Sequence, residues 1–124
     1  MQSADKRPVV LVIEDEILVR MDAIAAIETA GFEVIDASDA DMAIAILKQR
    51  NDIRLIFTDV QMPGSMDGIK LAHFVRSRWP PIKIIATSGY PKIKEQDLPE
   101  GSRFLTKPYA AADLASAINQ LIRP

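Results

Sequence analysis

The stretch over residues 55–68, LIFTDVQMPGSMDG, constrains the fold more than any other part of the chain. Leu55, Ile56, Phe57 and Thr58 are apolar or β-branched without alternation, the profile of a strand buried on both faces. Strands of that kind belong to parallel sheets covered by helices on both sides. Asp59 stands where the strand ends, Met62-Pro63-Gly64 reads as a turn, and Met66-Asp67-Gly68 opens a segment of helical spacing. The carboxyl ends of strands in an open α/β sheet form the edge where ligands bind, so Asp59 is predicted to be the reactive centre.

The rest of the chain repeats this alternation. Val9-Val10-Leu11-Val12-Ile13 reads as a central strand ending in Glu14-Asp15-Glu16. Ile17, Met21, Ile24 and Ile27 then mark the inward face of a helix that Gly31 stops. A second strand is predicted over residues 32–37, followed by a helix opened by a capping box of Ser38 and Asp41 that turns Ala40, Ala43, Ile44 and Leu47 inward. After the 55–58 strand comes a helix packing Leu71, Phe74 and Val75 and ended by Pro80-Pro81. A fourth strand over 82–87 and a fifth over 103–106 precede a last helix with Leu114, Ala117, Ile118 and Leu121 on one face. Strand and helix therefore alternate, which implies a parallel sheet in one domain. Residues 90–101, YPKIKEQDLPEG, break the pattern: two prolines and few apolar residues leave room for one or two helical turns where a fourth helix is due.

Composition narrows the function. The net charge of −2 offers no basic footprint for nucleic acid, and no apolar run is long enough for a membrane span. Without cysteine there is neither a disulfide nor a thiolate site. The start, MQSADKRP, lacks the apolar core of a signal peptide, so a cytosolic protein is expected.

Polar residues stand at four of the five expected strand ends: Glu14 and Asp15, Asp59, Thr87 and Ser88, and Lys107. A parallel sheet brings all of them to one edge. Three gathered carboxylates repel one another, and a hard divalent cation with oxygen ligands relieves that repulsion; Mg²⁺ suits one or two carboxylates plus waters and phosphate. Lys107 adds an ammonium, and Ser88 or Thr87 a hydroxyl for an incoming oxygen. A carboxylate nucleophile, a cation site, an ammonium and a hydroxyl make a kit for phosphoryl transfer, which asks mostly for positioning and charge neutralisation. The only histidine, His73, falls in the third helix, away from this edge.

VLVIEDE, FTDVQMPGSMDG, TSGY and FLTKPY, in that order, resemble the motifs of receiver domains in two-component response regulators, and the likeness runs from residue 8 to 122. The resemblance implies a flavodoxin-like, doubly wound five-stranded parallel sheet of order 2-1-3-4-5. It implies that Asp59 accepts phosphate from a phosphohistidine. Asp15 would bind Mg²⁺ directly, Glu14 through water, and Gln61 by its backbone carbonyl, its side chain mattering less. Lys107 would contact the phosphoryl group, with a cis bond to Pro108. Ser88 takes the place of the switch hydroxyl, with Thr87 as the alternative, and Phe104 that of the switch aromatic. Three departures stand out: Glu14 in place of aspartate, a loop at Gly64-Ser65 one residue longer than usual, and the short, proline-rich segment 90–101.

The expected organisation is a loose arm over 1–8 and a receiver domain over 9–124 with no output domain. Its partners would be a sensor histidine kinase or histidine phosphotransfer protein upstream and another protein downstream, with no nucleic acid or membrane; homodimerisation is left open. One rival reading is a phosphorylation-independent interaction module. The other is a small Mg²⁺-dependent aspartyl-phosphate phosphatase, although such enzymes commonly carry a second aspartate where this chain has Gln61.

Overall fold

The computed structural model describes residues 7–123, so most of the arm expected over residues 1–8 lies outside the described residues. Five strands, β1 (Val9–Ile13), β2 (Glu33–Ala37), β3 (Ile53–Asp59), β4 (Lys83–Ser88) and β5 (Arg103–Thr106), alternate with four helices, α1 (Ile17–Thr29), α2 (Ala40–Gln49), α3 (Gly68–Arg78) and α4 (Ala111–Ile122). All strand pairs are parallel and the sheet order is β2-β1-β3-β4-β5, the order that the resemblance implied.

Successive strand residues point to opposite faces, which explains why the central strands are apolar throughout. Leu11, Ile13, Ile56 and Ile84 pack on one face beneath Ala43 and Leu47 of α2 and Leu71 and Val75 of α3. Val10, Val12, Leu55, Phe57 and Ile85 pack on the other beneath Ala23 and Ile27 of α1 and Leu114 and Ile118 of α4. Among the described residues no helix is long and apolar enough to cross a membrane.

Two local expectations are corrected. The face of α1 predicted to turn inward is rotated: Ile17 and Met21 are 62% and 57% exposed, while Ala23 and Ile27 are buried and Ile24 packs partly against the core. The inward stripe of the first turn belongs instead to half-buried Arg20, which is spent on polar contacts described below. Nor does Ser38 open α2. Asp39 is its cap, accepting the amide of Met42 at 2.9 Å, and Asp41 is free to accept the Ser65 hydroxyl at 2.6 Å across the loop after β3.

Other signals act as read. Gly31 follows α1 at φ +102°, a conformation that a side chain strains, and α3 ends at Arg78 before Pro80-Pro81. In residues 90–101 the only helical element is a 3₁₀ turn, Glu95–Asp97. This segment is fastened rather than loose. His73 on α3 hydrogen-bonds the Asp97 carbonyl at 3.0 Å, Arg76 donates to the Glu100 carbonyl, and Leu98 is buried.

Gly68 opens α3 against the end of β3. Its amide donates to the Val60 carbonyl at 2.9 Å, and a Cβ there would lie 2.1 Å from the Asp59 carbonyl oxygen. The obstacle is backbone at the end of the central strand and cannot swing aside. Gly68→Ala is expected to lower unfolding stability by about 3 kcal/mol in urea titrations; a loss of a few tenths would contradict this close packing.

Candidate functional site

Glu14 leaves β1 with its amide bonded to the Ala37 carbonyl at 3.1 Å, and its Oε2 accepts the Glu16 amide at 3.1 Å. Arg20 Nη1 donates to the Glu14 carbonyl at 2.7 Å, while Arg20 Nε lies 3.1 Å from Asp36 Oδ2 at the end of β2. One guanidinium therefore ties the turn after β1 to the neighbouring strand. Asp59, the last residue of β3, is 6% exposed and Glu14 is 4% exposed. Carboxylate oxygens of Glu14, Asp15 and Asp59 all lie within 4.8 Å of one another, with Asp15 on the solvent side.

Lys107 arrives from β5. Its amide donates to the Ser88 carbonyl at 3.0 Å, its bond to Pro108 is cis, and its Nζ lies 3.2 Å from Asp59 Oδ1 and 3.6 Å from Glu14 Oε1. Burial raises the pKa of both Glu14 and Asp59 above the ordinary carboxylate range, and Lys107 only partly offsets this. Tyr109 sits beside the same acids with its ring edge on Phe57, 5.7 Å between centroids, and burial pushes its phenol up to about 12.

The two candidate hydroxyls separate cleanly. Thr87 is buried and donates to the Leu105 carbonyl at 2.8 Å, a bond that ties β4 to β5. Ser88 Oγ donates to Gln61 Oε1 at 2.8 Å and accepts the Tyr90 amide at 3.0 Å. Phe104 is half-buried on β5 and packs against the α2/α3 side of the core, and its amide donates to Glu95 Oε2 at 3.1 Å. The structure thus gathers Glu14, Asp15, Asp59 and Lys107 at one point, sets Ser88 and Gln61 against each other, and holds Thr87 and Phe104 in structural bonds.

Three side chains escaped the sequence reading: Arg20, Tyr109 and the amide of Gln61. Arg20 left a signal, a charged residue on the 20-23-27 stripe that turns inward. The other two left none.

The acidic group fits a hard divalent cation. Its donors are all carboxylate oxygens, those of Glu14 and Asp59 are buried, and Lys107 is the one ammonium paired with them among the described residues.

Comparison with known proteins gives one answer. The family model described as "Response regulator receiver domain" matches residues 10–119. The receiver protein CpdR of Brucella abortus is 30% identical over 116 residues, 91% of this chain and 95% of that protein. The sensor kinase CckA of Brucella abortus is 32% identical over 117 residues, but the chain spans only 12% of its length, and it spans 25% of the hydrogenase regulator HoxA of Cupriavidus necator. A response regulator receiver protein from Sinorhizobium medicae superposes with a TM-score of 0.86 at 28% identity, over 94% of each chain. A receiver domain from Clostridium thermocellum gives 0.84 at 29% identity, over 92% of this chain and 93% of that one.

A carboxylate whose pKa is higher folded than unfolded contributes destabilisation that grows as pH climbs between the two values. Removing the Asp59 charge should therefore raise the melting temperature of the metal-free protein at neutral pH by a few degrees for Asp59→Asn. The gap should narrow as pH falls through the raised carboxylate range, and Mg²⁺ should stabilise the wild type far more than the variant. Thermal melts in chelator and in Mg²⁺ read both effects, and equal melting of the two proteins in chelator would contradict them.

Proposed function

The chain belongs to the response regulator receiver family of two-component signalling, and from that premise we propose that it is a phosphoacceptor switch whose phosphorylated residue is Asp59. The observation that carries this reading is the Lys107 ammonium, 3.2 Å from a buried carboxylate oxygen of Asp59.

In this reading an oxygen of Asp59 attacks the phosphorus of a phosphohistidine on a kinase or phosphotransfer protein. The O–P bond forms as the P–N bond breaks, and the electron pair returns to the imidazole nitrogen. Burial readies the nucleophile, because a desolvated carboxylate has little water to shed before it reacts. Lys107 stands where the new phosphoryl oxygens arrive. Glu14, Asp15 and Asp59, with the Gln61 carbonyl, would hold Mg²⁺, which supplies positive charge against those oxygens. The product is an acyl phosphate.

The signal then leaves through Ser88. Its hydroxyl is drawn toward the phosphoryl oxygens, and because that hydroxyl holds the Tyr90 amide, the start of the 90–101 segment moves with it. Glu95 of that segment holds the Phe104 amide, so β5 is drawn into the same response. The outgoing partner is a protein that reads the face formed by β4, β5 and the fastened segment, and the exchange takes place in the cytoplasm. The chain acts as a regulator rather than as an enzyme with turnover on a separate substrate.

Incubation with acetyl phosphate and Mg²⁺ should add one phosphate to the intact mass of the wild type and none to Asp59→Asn. Lys107→Ala should slow the addition by about tenfold or more, the effect of losing a hydrogen bond to a charged group. No added phosphate together with no Mg²⁺ binding would favour the phosphorylation-independent module. Steady turnover of small phosphomonoesters would favour the phosphatase.

A further inference from the structure

We propose that the side chain of Gln61 is a latch on Ser88 that biases the domain toward its resting state, acting as a positioning residue through that hydroxyl. This rests on the reading of Asp59 as phosphoacceptor and of Ser88 as the hydroxyl that answers it.

The argument turns on a single proton. A serine hydroxyl can donate one hydrogen bond and accept two. Ser88 is fully buried, and its one proton is committed to Gln61 Oε1 at 2.8 Å. A lone pair of the same oxygen takes the Tyr90 amide at 3.0 Å. An oxygen of a phosphoryl group on Asp59 is an acceptor only. Ser88 cannot donate to that oxygen and to Gln61 at once, so one bond must break for the other to form.

The placement suits a reversible contact. Gln61 lies two residues beyond Asp59, on the loop between β3 and α3, and the residue is exposed, so its amide can swing into water once released. Ser88 follows Thr87, which is the register partner of Asp59 in the β3–β4 pair. The hydroxyl bonded to the loop amide thus belongs to the residue one step past the strand position paired with Asp59. The Tyr90 amide moves with whichever acceptor wins, which makes Gln61 part of the balance between the two positions of the 90–101 segment.

A latch that holds only the resting arrangement must weaken the binding of anything that selects the other. Beryllofluoride, which mimics a phosphoryl group on a carboxylate, is the probe, with Mg²⁺ present throughout. Gln61→Met removes the acceptor at similar length and leaves the backbone carbonyl in place. It should bind beryllofluoride about threefold to tenfold more tightly than the wild type by calorimetry, the range expected for one net hydrogen bond. In the free Gln61→Met protein the Tyr90 amide resonance should shift part of the way toward its beryllofluoride-bound position. In a Ser88→Ala background the same substitution should change neither quantity.

Unchanged or weaker binding by Gln61→Met overturns the latch. So does a gain that persists when Ser88 is absent, since Gln61 would then act on the site directly. If the wild type itself binds no beryllofluoride in Mg²⁺, the reading of Asp59 falls and the latch falls with it, an outcome distinct from the first two.

Discussion

Two carboxylates, Glu14 and Asp59, sit almost out of water side by side, and one ammonium stands between them. Among the described residues no other lysine or arginine pairs with either carboxylate. Truncating Lys107 would strand both carboxylates without compensation, so the position of that ammonium has to be fixed by the fold. The parallel sheet does this. The ends of β1, β3 and β5 deliver Glu14, Asp59 and Lys107 to one edge, and the register of β3 with β4 sets Ser88 one step further along. With Asp15 beside them, the three carboxylates leave an excess of negative charge at this edge, which a hard cation fits.

Much of the surrounding detail serves to hold that edge still. Gly68 lets α3 start directly against the backbone of Asp59, where any side chain would push the two apart. Arg20 joins the Glu14 carbonyl to Asp36, so the first helix is clamped to the sheet by polar bonds exactly where apolar contact is missing. Thr87 bonds the Leu105 carbonyl and keeps β4 and β5 in step. Beside this frame runs the Gln61–Ser88–Tyr90 chain of hydrogen bonds, which begins at an exposed loop side chain. Its far end enters a segment fastened to α3 by His73 and Arg76, a tied loop in place of a helix.

The strand ends could be read from the sequence because a buried parallel strand is an unbroken apolar run, and the first polar residue after it marks the edge. Glu14, Asp15 and Asp59 are found that way, and Lys107 stands at the end of the shorter, half-buried β5. The break in helical pattern over residues 90–101 was visible too, since prolines and scarce apolar residues act locally. What could not be read depends on rotation and reach. Spacing alone placed Ile17 and Met21 inward because they are larger and more apolar than Ala23, yet Arg20 occupies that stripe for the sake of distant acceptors. Ser38 and Asp39 are both good caps, and only the path of the chain out of β2 decides between them. The amide of Gln61 meets Ser88 across the strand gap, a contact between residues 27 positions apart that no local pattern encodes.

The most direct test of the central claim is to locate the acyl phosphate. Borohydride reduces an aspartyl phosphate to homoserine, so the protein should be phosphorylated in Mg²⁺, reduced, and mapped by peptide sequencing in the mass spectrometer. Homoserine at position 59 and at no other acid is the predicted result. Homoserine at position 15, or an unmodified residue 59 in protein that has gained phosphate, would contradict the account.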